Sequence, residues 1–139
     1  MTEILQSFKH NGTVHPVKHS SFNKIAPGMV CDGYDFTYGD GSRDLGIVSL
    51  EAGHQTPLQK VVGGDRTIAA LMDGQATLVV TDEEGVATTY DFSDPEGQSD
   101  VTITPGQMMQ WTNIGKTVAK ISEIYIPPFV PGRFETVTS

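Results

Sequence analysis

Apolar and polar residues alternate with a period of two along most of the chain. No run of ten or more positions carries the 3.6-residue period of a surface helix. Residues 44–50, 67–72, 76–81, 86–92, 101–104, 108–113 and 117–126 each read as a strand. The Asp73-Gly74 pair separates two of these runs and predicts a hairpin turn, because glycine takes positive φ without steric cost. Glu83-Glu84-Gly85 predicts the next turn, into a segment rich in the strand formers Val, Thr, Tyr and Phe. Residues 1–8 fit one short helical turn. Short strands at regular spacing with Gly-rich turns predict an all-β sandwich or barrel.

The chain has 139 residues, so one domain with a core of its own is expected. Hydrophobic residues make up 37% and charged residues 19%, which excludes disorder as the default state. The formal net charge is −8 and Lys plus Arg total only nine, a poor basis for neutralising phosphates, so no nucleic-acid partner is expected. The single Cys31 cannot close an internal disulfide and suits a reducing compartment. No run approaches 18 apolar residues and the first 20 positions hold no apolar signal region, so a soluble, cytoplasmic protein without a membrane partner is expected. Phosphate-loop, dinucleotide and nucleophile-elbow patterns are absent.

Two segments carry a recognisable rhythm. The first runs from Gly53 through Gln59, Val61 and the Gly63-Gly64 loop to Gly74; the second contains Gly106, Met109 and Asn113. Their spacings resemble the two motifs of the cupin superfamily, the small jelly-roll barrels, over roughly residues 45–127. The family's first motif is Gly, five residues, His, one residue, His, three or four residues, Glu, six residues, Gly; its second ends Gly, two residues, His, three residues, Asn. Here Gln59, Val61 and Met109 stand at the three His positions. The Glu position falls at Asp65 or Arg66 counting forward and at Thr67 counting back from Gly74. The resemblance implies a double-stranded β-helix, a jelly-roll barrel of the cupin type. Residues 1–44 would form an N-terminal arm with extra strands in the same domain, and residues 45–139 the barrel with a closing tail. It does not bring the metal with it. A transition-metal site needs about three imidazole or carboxylate donors converging on one point; an amide, an isopropyl group and a thioether do not supply them. No metal and no other cofactor is expected.

The same positions would still face a barrel interior. Gln59 could hold a ligand or bond neighbouring backbone. Arg66 could point inward, where its charge requires a partner, or lie solvated on the Gly63-Gly64-Asp65 loop. Period two places Ile121, Glu123 and Tyr125 on one face of the last long strand. If that face lines the barrel, Glu123 pairs with Arg66 and Tyr125 presents its hydroxyl to a ligand; if not, Glu123 is a surface charge. Trp111 shares the face of Met109 and is either a platform for a ring or core. His10, His15, His19 and His54 lack metal-ligand spacing and read individually as surface residues. In the tail, Phe129 and Phe134 would pack outside the barrel or cover one mouth, and Arg133 could face the cavity, with surface exposure its more common state.

Three function classes follow. The first is a metal-free barrel binding a small polar molecule, sugar-like or carboxylate-bearing, through Gln59, Arg66, Met109, Trp111, Glu123 and Tyr125. The second is a metal-independent sugar isomerase or epimerase, for which Glu123, Tyr125 and His54 are the available acid–base groups. The third is a non-catalytic interaction module. Phe8, Val14, Val17 and Phe22 give the N-terminal arm more apolar content than a free tail needs, so a homodimer closing sheet edges is expected.

Overall fold

The structure, a computed structural model, describes residues 4–10, 12–36, 41–92, 100–129 and 132–137. Among them are twelve strands and no helix: β1 (Ser7–His10), β2 (Thr13–Ala26), β3 (Met29–Phe36), β4 (Asp44–Leu50), β5 (Gln59–Val61), β6 (Arg66–Asp73), β7 (Ala76–Thr81), β8 (Ala87–Asp91), β9 (Asp100–Ile103), β10 (Met108–Asn113), β11 (Ala119–Ile126) and β12 (Phe134–Thr136). The helical turn expected over 1–8 is corrected where it can be seen. Residues 7 and 8 begin β1, because Ser7 to His10 pair with Pro16 to Thr13 and the ladder outweighs a weak local preference. Residues 1–3 of that expectation lie outside the described residues.

The strands form two antiparallel sheets, ordered β1-β2-β3-β4-β11-β6-β9 and β12-β5-β10-β7-β8. Alternation decides what lies between them. In β7, Ala76, Leu78 and Val80 point inward; in β10, Met109, Trp111 and Asn113 do. They meet Val48, Leu50, Ala69, Val101, Ile103 and Ile121 from the larger sheet in one core. Each large side chain buried there contributes roughly 1.5–3 kcal/mol.

The larger sheet is buried on its other face as well, which explains the near-continuous burial of β4 and β11. Leu45, Ile47 and Ile124 project there with Tyr34 and are covered by Phe8 and Val17 of the N-terminal strands. The sheet curls far enough for its two ends to touch: His10 Nε2 on β1 lies 3.3 Å from Asp100 Oδ2 on β9. Two of the apolar arm residues therefore serve this chain's own second core, while Val14 and Phe22 stay exposed.

Two motif residues have structural roles. Gly74 takes φ +91° in the β6–β7 turn, where a Cβ would lie 2.9 Å from the Val118 carbonyl oxygen. Asn113 is buried, its Nδ2 donating to the carbonyls of Leu50 (2.9 Å) and Thr117 (2.8 Å), while its Oδ1 accepts from the Gly115 N–H. That side chain fastens the β10–β11 turn to β4.

Candidate functional site

One row of residues across the larger sheet is unusually small. Antiparallel register places Ser21, Gly33, Gly46, Glu123 and Ala69 side by side on β2, β3, β4, β11 and β6, on the face turned toward the smaller sheet. Two glycines and an alanine leave the interior unfilled beside the one large side chain of the row, Glu123. The resulting cavity measures about 630 Å³. Gln59, Cys31, Asp44 and Tyr125 line it, with Phe129 and Phe134 of the tail on its wall and Ser20, Asn23 and Lys24 of β2 along another side. The empty space at Gly46 has a specific occupant. A Cβ there would lie 2.5 Å from the Tyr125 hydroxyl, so glycine is what allows that hydroxyl its place.

Glu123 is 7% exposed and Tyr125 6%. The Tyr125 hydroxyl donates to Glu123 Oε1 at 2.7 Å. No hydrogen bond or ion pair among the described residues reaches Glu123 Oε2. Burial holds the Glu123 carboxyl above the usual carboxylate range, opposed by the Tyr125 bond and by the positive charge of Arg133. The Tyr125 phenol is held well above its ordinary value, first by burial and then by the adjacent carboxyl. Burial, with Glu123 and Asp32 adding to it, pushes the Cys31 thiol up to about 12, so Cys31 is a neutral thiol at physiological pH rather than a nucleophile. Asp44, half-buried at the rim, is also raised, by burial and then by Asp35, although its Oδ2 accepts from the Phe129 N–H at 3.2 Å.

The buried cation of this region is Arg133, not Arg66. Arg133 is 2% exposed and its guanidinium donates to the carbonyls of Pro127 (2.7 Å), Arg66 (2.6 Å) and Ile126 (2.9 Å). It sits 5.6 Å from the centre of the Tyr125 ring. Gly64 makes room for it, since a Cβ there would meet the guanidinium carbon at 2.4 Å. The exposure favoured for Arg133 from sequence is corrected: carbonyls at the end of β11 and the start of β6 give the buried charge its acceptors. Tyr125, Phe129 and Phe134 pack together at centroid separations of 5.2–6.1 Å, so the tail is held on aromatic contacts beside the cavity.

The face of β11 carrying Ile121, Glu123 and Tyr125 is the inward one, and Gln59 reaches the same cavity. Arg66 does not. Its side chain is 44% exposed and paired with neighbouring Asp65, so the proposed Arg66–Glu123 pair is corrected; Arg66 opens β6 at the Gly63-Gly64 loop and points to water. Met109 and Trp111 are 2% and 1% exposed and belong to the close-packed core, Trp111 against Phe92 at 5.1 Å, so neither lines the cavity. His54 stands on the turn before β5, 42% exposed and 3.9 Å from Glu51, with Gly28 against its ring. It does not line the Glu123 cavity. The residues missed from sequence are Asp44 and the glycine pair. Only the glycines left a signal there, as isolated glycines inside strand patterns mark a close approach or a gap.

The three motif positions tell a consistent story about metal. Val61 and Met109 are sealed in the core and Gln59 alone reaches the cavity. Of the alternatives for the Glu position, Asp65 and Arg66 face solvent and Thr67 is fully buried with an unbonded hydroxyl. No group of three or more His, Cys, Asp or Glu capable of holding a metal occurs among the described residues. This donor set does not fit the metal centre that the fold family implies.

The architecture matches solved structures. The chain superimposes on the formate complex of Lactobacillus farciminis oxalate decarboxylase with a TM-score of 0.66 at 16% identity, covering 87% of this chain and 33% of that one. Bacillus subtilis oxalate decarboxylase gives 0.65 at 17% identity, with 83% and 29% covered. Mn(II) centres are described in that enzyme. These are cupin-fold proteins, and the present chain has the cupin fold, spanning about a third of their length. No protein-family profile matches the sequence. No curated protein matches it either.

Proposed function

We propose that this protein is a metal-free cupin-like barrel that binds a small polar molecule in the Glu123 cavity. One observation carries the reading: a buried carboxyl, held on one oxygen by Tyr125, turns toward a 630 Å³ space with its second oxygen lacking a donor among the described residues. A ligand hydroxyl or N–H completes that bond, and Gln59 across the cavity offers both a donor and an acceptor. Apolar surface from Met29, Val48 and Phe134 supplies the rest of the lining, as expected of a small-molecule site. A sugar-like ligand suits these partners better than a carboxylate-bearing one, which would meet Asp44 and Glu123. The neighbours' decarboxylation is not carried over, because the residues at the motif positions are Gln59, Val61 and Met109.

Native mass spectrometry with elemental analysis of freshly purified protein tests this reading. The expected result is far less than one transition metal per chain, with wild type retaining an organic molecule that Glu123→Ala loses. A tightly held, stoichiometric metal overturns it. The same spectra report the oligomeric state, for which exposed Val14, Phe22 and Ile25 on β2 support a homodimer.

The hydrogen-bonded Glu123–Tyr125 pair favours a second reading, a metal-independent isomerase or epimerase. A carboxyl with a raised pKa beside a phenol is suited to moving a proton at a carbon next to a carbonyl. Solvent deuterium exchange into aldoses and ketoses, followed by NMR and lost in Glu123→Gln, would establish it; no exchange above the uncatalysed rate leaves binding alone.

A further inference from the structure

We infer that the ligand of this cavity carries a protonated amine, which Glu123 and Asp44 recognise. This rests on the binding reading above and narrows it to one chemical class. Two carboxyls share the cavity, and neither lies within 4 Å of a Lys, Arg or His nitrogen among the described residues. Their register fixes them on one face: Asp44 is the cross-strand partner of Tyr125, and Glu123 stands two residues before Tyr125 on the same strand. Acidic residues lying together would not by themselves make a site. Here the second, independent observation is Glu123 Oε2, on a side chain more than nine-tenths buried that lines the cavity, an oxygen with no partner among the described residues.

The cationic groups nearby do not fill that role. Arg133 acts on Glu123 at a distance, while its two terminal nitrogens are spent on three backbone carbonyls. Lys24 is exposed on β2 and makes no ion pair with either carboxyl. From β3 the cavity receives the neutral Cys31 thiol, and from β11 the Tyr125 hydroxyl, which already donates to Oε1. An alcohol could satisfy Oε2 with one neutral hydrogen bond. An ammonium group satisfies it with a charge-assisted bond, retains donors for Asp44 or Gln59, and offsets the negative charge of both carboxyls. The wall of Phe129 and Phe134 beside Tyr125 accommodates an apolar body attached to that amine. Protonation of Glu123 competes with the cation, so amine affinity rises with pH through the titration of Glu123 and levels off once the carboxylate is formed.

Matched trios test the inference: glucosamine, glucose and glucuronate; cyclohexylamine, cyclohexanol and cyclohexanecarboxylate; propylamine, propanol and propionate. Each is titrated by NMR into full-length wild type and Glu123→Gln, with thermal unfolding of both proteins confirming that they are folded. The amine of at least one trio is expected to bind about tenfold more tightly than its alcohol, and the carboxylate most weakly. That preference should shrink as pH is lowered through the Glu123 titration and fall severalfold in Glu123→Gln, where Asp44 alone remains. An alcohol that binds as tightly as its amine, or an amine preference undiminished in Glu123→Gln, overturns the amine assignment and leaves the binding reading standing. If no member of any trio binds, both fail. Should Glu123→Gln not fold, the pH dependence of the wild-type amine-to-alcohol ratio decides the matter alone.

Discussion

Two levels of one barrel interior are built from the same strands and end in opposite states. At the level of Val61, Met109 and Trp111, these large apolar side chains pack with Leu78, Ile103 and Ile121 and the space between them is closed. At the level of Glu123, register places Gly33, Gly46 and Ala69 in the row, and the space stays open around the Glu123 carboxyl. Two of the three positions where the fold family's motifs would place metal ligands, Val61 and Met109, lie in the closed level, and the third, Gln59, reaches the open one. Without a metal to satisfy them, polar groups at Val61 and Met109 would be buried unpaired, at a cost of roughly 1–3 kcal/mol each. Apolar replacement removes that cost. A neighbouring row of glycines then gives the barrel a cavity in a different place.

The largest effect should come from emptying the closed level. Trp111→Ala removes a fully buried indole packed on Phe92 and should cost about 3–5 kcal/mol, read as a lowered midpoint in urea. Trp111→Phe should cost much less, because the indole N–H has no acceptor among the described residues to lose. Similar losses from both substitutions would mean that the indole nitrogen matters and that this level is not simply packed core.

Much of this contrast could be read from the sequence, and the unread part has a physical cause. Strand periodicity and motif spacing predicted the jelly roll, and parity on one strand put Glu123 and Tyr125 together. What parity along a strand cannot give is the register between strands. Gly33 and Gly46 lie thirteen positions apart in sequence, and only the β3–β4 pairing brings them beside each other next to Glu123. Arg66 and Arg133 were exchanged for the same reason. Arg66 sits inside the motif but opens its strand in solvent, whereas Arg133 is buried by tail contacts separated from it by 6, 7 and 67 positions. His54 is part of the motif segment, yet the turn carries it to the outside.

Filling the open level is the next largest change. Gly46→Ala places a methyl 2.5 Å from the Tyr125 hydroxyl and 2.9 Å from its ring, so the ring must move and its bond to Glu123 is lost. The expected cost is about 1–3 kcal/mol, with loss of any ligand-induced rise in melting temperature. A variant that keeps full stability and ligand response would show that the cavity is wider at this row than its lining suggests.

Glu123→Gln should move stability in the opposite direction. Because burial raises the folded-state pKa of Glu123, its contribution is fully present below the unfolded value of about 4.5 and is lost as pH rises through the folded value. Near neutral pH the amide should therefore match or exceed wild type, by about 1 kcal/mol, while keeping an acceptor for Tyr125. The gain should disappear at pH 4. A loss of stability at neutral pH would show instead that Arg133 and Tyr125 stabilise the ionised carboxylate by more than its burial costs.

The smallest effect separates the two arginines. Among the described residues the Arg66 side chain pairs only with adjacent Asp65, in solvent, so Arg66→Met should change stability by less than about 0.5 kcal/mol and show no coupling with Glu123→Gln in a double-mutant cycle. Arg133→Met, by contrast, takes a donor from the Pro127, Arg66 and Ile126 carbonyls, of which Ile126 keeps the Asp65 N–H, and removes the charge that acts on Glu123, so it should couple with Glu123→Gln. The sign is set by the Glu123 titration. Without Arg133 the carboxylate is harder to form, and neutralising it in Glu123→Gln should recover part of the Arg133→Met loss at neutral pH but little of it at pH 4. A coupling to Arg66 that exceeds the coupling to Arg133 would put the inward cation back at the motif position and reverse the assignment of the open and closed levels.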